Sequence, residues 1–288
     1  MSVAVVTDST AYLPVDLVVS HGIRVVPLHV ILGGRQFSEG VDVTTAEVAA
    51  ALRSFTPVST SRPSPQAFLD AYEAAAADGA GAVVSVHISS DMSGTVESAA
   101  LAASQSPIPV EVVDSRSMGM AMGYAVLSAA VAAQQGLEAK AVAAIAGSRA
   151  GAATVIFYVD TLEYLRRGGR IGAASAMLGS ALAIKPLLAL SDGHITAIEK
   201  VRTSVRALSR LEELALRAAD AAGESGVDIA VHHLDSQTRA DGLVERLRTR
   251  VASSTTVLLV ELGAVVGAHV GPGTIAVAVS PRPSAGKD

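Results

Sequence analysis

The chain has 288 residues, about half of them apolar, and 22 Lys and Arg against 27 Asp and Glu, a formal charge of −5. Its cations are scattered with no interleaved aromatics, so nucleic acid is not an expected partner, because a basic footprint dominates that affinity. Cysteine is absent, which excludes disulfides, thiolate metal sites and thiol nucleophiles.

No apolar run reaches the roughly 20 residues of a membrane-spanning helix. No basic n-region opens the sequence, so a cytoplasmic location is the expectation. Short β-branched runs alternate with alanine-rich helical stretches. Residues 3–7 read as a buried strand ending at Asp8, and residues 23–32 as a second strand before the Gly33-Gly34 turn. Helices are expected over 45–54 and 65–78, a strand over 82–88, a helix over 93–104, and a strand over 110–113 ending at Asp114. A long helix follows Ser117, and another spans 137–150. This alternation predicts βαβ units and a mostly parallel sheet.

The rhythm changes after residue 152. A strand over 154–159 leads to a helix opened by Thr161 and interrupted at Gly168-Gly169. Residues 186–190 and 195–201 flank Asp192-Gly193, a hairpin signal because Asp-Gly supplies the positive φ such turns need. Then come a helix over 204–222, a strand over 228–233, a helix over 236–250, a strand over 256–261, a glycine-rich stretch and a strand over 274–279. The resulting expectation is α/β with two domains. Residues 1–152 form a three-layer α/β/α unit with a mostly parallel sheet, 153–280 an α/β unit with a mixed sheet, and 281–288 a frayed tail.

Four segments carry candidate chemistry. Thr60-Ser61-Arg62-Pro63-Ser64-Pro65 lies between two helices. Ser64 and Pro65 suit a helix N-cap and first helical position, which leaves Thr60 and Ser61 unexplained. Ser93, Gly94 and Thr95 follow a strand and open a helix, so hydroxyls and helix N–H groups meet at the sheet rim. Such a set, without Lys, suits an anion of low charge such as a carboxylate. His269 sits among glycines, and either imidazole nitrogen serves as a donor. The run from Asp160 to Ile171 holds Arg166, Arg167 and Arg170 around a Gly-Gly break, a basic edge, and Lys200 and Arg202 add two cations near the hairpin end. No phosphate loop, dinucleotide fingerprint or nucleophile elbow is present. His232 and His233 are adjacent in a strand and point to opposite faces, so they cannot chelate one metal. Asp8 and Asp114 at strand ends read as turn caps.

Together these segments resemble the DegV family, the fatty-acid-binding subunits of bacterial fatty acid kinase. The likeness covers nearly the whole chain. It rests on Thr7-Asp8-Ser9-Thr10, Thr60 to Ser64, Ser93-Gly94-Thr95 with Glu97-Ser98-Ala99, Asp114-Ser115, Asp160 to Ile171, Leu178-Gly179, Ile184-Lys185-Pro186, Asp192-Gly193, Lys200 to Thr203, and Gly267 to Gly273. The resemblance implies a non-catalytic protein with no cofactor and no metal, holding one long-chain fatty acid in a cleft between the two domains. It implies a carboxylate site at Thr60, Ser61, Ser93, Gly94, Thr95 and His269. A separate ATP-dependent kinase then makes an acyl-phosphate for phospholipid synthesis, docking near Arg170 and Arg202; transient contact with a membrane or an acyltransferase is compatible with that role. Arg62 stands where Gln is common, Met92 where Leu is usual, Val96 where an aromatic is common, and Ala268 in place of a frequent Thr. The alternative is a small-molecule enzyme akin to dihydroxyacetone kinase subunits, with His269 or His233 holding a carbonyl substrate.

Overall fold

The computed structural model describes residues 2–177, 184–223, 226–252 and 255–283. The chain begins with β1 (Val3–Asp8), α1 (Val15–Ser20), β2 (Arg24–Val26), β3 (His29–Leu32), β4 (Arg35–Ser38), α2 (Thr45–Arg53), β5 (Val58–Ser61) and α3 (Pro65–Ala77). It continues through β6 (Ala82–His87), α4 (Thr95–Ala103), β7 (Val110–Asp114), α5 (Gly119–Gln134) and α6 (Ala139–Ala152). Strands β2-β1-β6-β7 make a four-stranded sheet, parallel throughout. Every residue of β6 is buried, as expected of a strand covered on both faces, whose sequence is largely apolar. On one face Phe68, Tyr72 and Ala99 of α3 and α4 pack on Val6 and Val83. On the other, Met122, Val126 and Ala129 of α5 and Val142 and Ala146 of α6 pack on Val84 and Val86.

The second half holds β8 (Thr154–Tyr158), α7 (Glu163–Arg167), β9 (Lys185–Ser191), β10 (His194–Val201), α8 (Ser204–Ala221), β11 (Val227–His233), α9 (Gln237–Arg250), β12 (Thr256–Glu261), α10 (Ala264–Val270) and β13 (Ile275–Pro281). Its sheet runs β10-β9-β8-β13-β11-β12 and is mixed: β11 and β12 are parallel, while the other neighbours are antiparallel. Leu211 and Ala215 of α8 and Leu243 and Leu247 of α9 cover its outer face. Its inner face meets α5, which touches both β1 and β13. A helix enclosed by two sheets needs apolar residues all round, and α5 (Gly-Met-Ala-Met-Gly-Tyr-Ala-Val-Leu-Ser…) has them.

Four expectations are corrected. The single strand over 23–32 is two strands in two sheets. Pro27 has no N–H for a ladder, so the chain leaves the parallel sheet after Val26 and β3 joins an antiparallel β4-β3-β5 sheet. Thr60 and Ser61 therefore lie on a strand rather than a loop, paired with Val30 and His29. The glycine-rich stretch before residue 274 is largely helix α10. The helix expected from Ser93 begins at Thr95, with Gly94 as N-cap. Ser64 does cap α3, accepting from Ala67 N at 3.2 Å. Ser280 is buried on β13 and its hydroxyl accepts from Arg149 Nε, so ordered structure reaches Pro281; residues 284–288 of the expected tail, and Leu178-Gly179, lie outside the described residues.

Candidate functional site: an apolar tunnel with a polar mouth

A cavity runs between the parallel and mixed sheets. Its walls are Ile88, Met92 and Met118 on one side, Val155, Phe157, Ala276 and Ala278 on the other, with Val265, Val266 and Val270 of α10 closing it. These residues come from strand ends and helix faces that alternate or repeat their apolar positions, so the interior is almost wholly hydrocarbon. The cavity volume is ≈ 100 Å³, strung through ≈ 980 Å³ of atom-free space that includes the mouth. By the former measure it is smaller than a cavity of about 150 Å³ that takes one benzene. A long apolar ligand would require side chains to move, and the unbranched Met92 and Met118 are the pliable ones.

The polar lining clusters at one end. Thr60 and Ser61 arrive on β5, Ser93 on the loop after β6, His269 near the end of α10, and Arg62 and Arg170 from two further segments. Thr60 Oγ1 and His269 Nε2 share a hydrogen bond of 2.8 Å. Ser93 Oγ and Thr95 Oγ1 share another of 2.8 Å. Arg62 Nη1 donates to the Gly94 carbonyl at 3.1 Å and pairs with Glu97 at 2.7 Å, tying β5 to the Ser93 loop. Arg170 Nε donates to the Met92 carbonyl at 3.2 Å, and its Nη1 to the Gly168 carbonyl at 2.7 Å.

Gly94 and Thr95 do not line the cavity. Thr95 is fully buried beneath Ser93, and a Cβ on Gly94 would land on the Arg62 guanidinium. Arg170, expected at a docking edge, is exposed and also lines the cavity. Arg202 is exposed beyond β10, at the hairpin end where Val201 pairs with Lys185; the opposite end, at Gly193, touches Ser89.

Burial first, then the nearby Arg170 guanidinium, pulls the His269 imidazole down to about 4. The ring is therefore neutral near pH 7 and offers one N–H. Its Nδ1 has no hydrogen-bond partner among the described residues and rests against Gly168, where a Cβ would come within 2.1 Å. The mouth thus combines neutral hydroxyls and an imidazole with two guanidiniums. Sequence reasoning found the hydroxyls and the histidine but gave Arg62 no part and expected no cation beside the head group.

His232 also lines the cavity, beside Tyr12, and its Nε2 accepts from Met120 N at 3.1 Å, capping α5 from another element. Burial is the main cause of its pKa falling to about 4. Glu39 was missed altogether. It accepts from Val265 N at 2.7 Å and from Ser9, and so caps α10, which carries His269. A lone Glu in a short strand-turn segment gives no local sign of such a partner more than 200 residues away. Asp8 and Asp114 tie turns: Asp8 accepts from Thr10 N and Ile88 N, Asp114 from Arg116 N and the Ser90 hydroxyl.

Two α/β halves flank a largely apolar tunnel with a cluster of hydroxyls, an imidazole and guanidiniums on its lining, an arrangement suited to a ligand with one oily and one polar end. The chain belongs to the DegV family, whose model matches residues 2–282. A DegV domain-containing protein of Streptomyces coelicolor is 50% identical over 280 residues, covering 97% of this chain and 99% of that one. Among solved structures, a DegV family protein of Thermus thermophilus described as fatty acid binding is 34% identical, with TM-score 0.90 over 98% of this chain and 100% of that one. DegV of Bacillus subtilis, described as a fatty acid binding protein, is 30% identical, with TM-score 0.89 over 98% of this chain and 100% of its own. DegV-family structures thus bind fatty acids.

Proposed function

We propose that the chain binds one long-chain fatty acid in the tunnel, between units 1–152 and 153–280, and presents its carboxylate to a separate ATP-dependent kinase. The observation that carries the reading is the cluster of Thr60, Ser61, Ser93, His269, Arg62 and Arg170 on a cavity whose remaining wall is mostly hydrocarbon. Each buried methylene contributes about 0.8 kcal/mol, so ten contribute about 8 kcal/mol before the cost of association is subtracted. The tail therefore supplies affinity. The head group needs only enough partners to avoid an unpaired buried charge. Thr60, Ser61, Ser93 and neutral His269 supply hydrogen bonds, and Arg170 the counter-charge. The chain itself performs no chemistry in this reading; acyl-phosphate formation belongs to the kinase. Exposed Arg202 is the docking cation, while Arg170 serves the head group first.

The test is mass spectrometry of an organic extract of the purified protein, with about one fatty acid per chain expected. A clean extract, together with no uptake of added palmitate or oleate, refutes the reading. Ser93→Ala weakens binding of the acid. Arg202→Glu slows phosphorylation by the kinase and leaves the Kd for fatty acid unchanged.

A further inference from the structure

A second cleft of ≈ 610 Å³ opens where β11 and β12 end, apart from the tunnel. It is lined by His233, only 4% exposed, whose Nδ1 has no hydrogen-bond partner among the described residues. Two other buried ring nitrogens share that condition, but their surroundings account for them. That of His269 is packed on Gly168, and His232 lies against the backbone of Val260, its neighbour across the β11–β12 ladder. His233 is the one of the three that faces an open polar cleft.

The adjoining wall is the first turn of α9. Ser236 sits at the N-cap without a side-chain cap bond, and the helix ladder starts only with Ala240 N to Ser236 O. The amides of Gln237, Thr238 and Arg239 therefore have no intrahelical acceptor. They head a helix of 14 residues, whose dipole favours negative charge at this end. The turn follows directly on the carboxyl end of β11, where α/β sheets hold ligands.

The fixed charges limit what fits. Asp235 is paired with Arg53. Asp160 takes the Tyr158 hydroxyl and has Lys185 Nζ at 3.5 Å and Arg239 Nη1 at 3.9 Å. Glu261, on the same cleft, has no ion pair among the described residues. Pro272 and Gly273 line this cleft, whereas His269, Val270 and Thr274 line the tunnel, so one turn of chain divides the two sites.

We propose that this cleft binds a small ligand through an oxyanion, phosphate or carboxylate. Ser236, the α9 amides, Arg239 and His233 hold the anion, and Glu261 receives a neighbouring donor group. The unpaired glutamate favours ligands of low net charge.

The experiment is a 1H–15N titration of the full chain with inorganic phosphate, acetate and glycine, read at the amides of Gln237, Thr238 and Arg239. A saturable shift with a Kd of about 1 mM is expected, the scale of a single small anion on a helix end. Saturation by phosphate alone assigns a phosphate ligand. Saturation by acetate, with glycine tighter, assigns a carboxylate beside a donor. Both outcomes support the site. Arg239→Gln, at a half-exposed position, and His233→Asn each weaken the response about tenfold by removing one charge-assisted or buried hydrogen bond. Ser93→Ala, at the tunnel, leaves it intact. Shifts that stay linear with all three probes, or affinities unchanged in both cleft variants, overturn the proposal.

Discussion

Gly168→Ala is a direct test of the head-group cluster because the glycine is required by space and not by backbone. Its φ of −74° and ψ of −6° are ordinary helical values that alanine adopts freely. A Cβ there would lie 2.1 Å from His269 Nδ1 and 3.0 Å from Cε1. Ordinary contact is near 3.5 Å, so the ring must retreat by more than about 1 Å. His269 Nε2 is 2.8 Å from Thr60 Oγ1, and the same displacement carries that pair beyond hydrogen-bond range. The loss of one neutral hydrogen bond is worth about 1 kcal/mol, or about fivefold in the Kd for a fatty acid. Global stability changes less, because alanine lowers the entropy of the unfolded chain by a compensating 0.4–1 kcal/mol or so. The assay pairs isothermal titration with palmitate and urea unfolding of the same preparations. Binding weakened several-fold at near-constant stability is the expected result. An affinity within twofold of the parent refutes the assignment of His269 to the mouth.

Acid stability follows from His232, whose pKa falls from 6.5 to about 4 on burial. The unfolded chain takes up this proton first, so the contribution is complete above pH 6.5 and is lost as pH falls towards 4. It amounts to about 3 kcal/mol, and urea midpoints measured across that window decline less in His232→Gln; an identical decline removes His232 as the cause. Glu39→Ala strips the acceptor from Val265 N and Ser9, at a cost of about 1–3 kcal/mol. Burial raises the Glu39 pKa, so its contribution is fullest below the ordinary carboxylate value and declines as pH rises through its own. Glu39→Gln, which keeps an acceptor without the ionisation, is therefore the milder change near pH 7, and the reverse order in thermal melts contradicts the capping role. Ala276→Phe fills the tunnel floor and shifts the bound acids, read by mass spectrometry, towards shorter chains; an unaltered chain-length profile means that the tail runs elsewhere.

Much of this architecture is legible in the sequence, for identifiable reasons. Strands β1 and β6 are valine-rich runs closed by polar turns, and the β9–β10 hairpin announces itself through Asp192-Gly193. Helix α10 is not legible. Its Gly267 lowers intrinsic helix propensity by about 1 kcal/mol relative to alanine, and the helix exists because burial against Leu234 overrides that cost. A Cβ at Gly267 would sit 3.2 Å from Leu234. Strand β5 is equally hidden: four residues, three of them hydroxyl-bearing, whose neighbour in the sheet is β3, nearly 30 residues earlier. In the site, hydroxyls and a histidine flanked by glycines stand out as residue types. That Arg62 and Arg170, both exposed, also reach the cavity lining does not, because long cations on loops look the same whether or not they border a cavity.

The mouth has no single scaffold. Thr60 belongs to the three-stranded sheet, Ser93 to a loop of the parallel sheet, Arg170 to the segment after α7, and His269 to α10. Their relative positions depend on cross-links between these pieces: Thr60 to His269, Arg62 to the Gly94 carbonyl, and Arg170 to the Met92 carbonyl. Each link is modest by itself, of the order of 1 kcal/mol for a neutral pair and somewhat more for a guanidinium. Joined in series they would fix the head group of the proposed fatty acid to within hydrogen-bond tolerance, while the hydrocarbon wall behind them would be soft enough to admit its tail. Specificity for the polar end and tolerance of the apolar end are thus separate properties of separate parts. Substitutions at the cross-links should change how tightly any acid is held, and substitutions along β8 and β13 which acid it is.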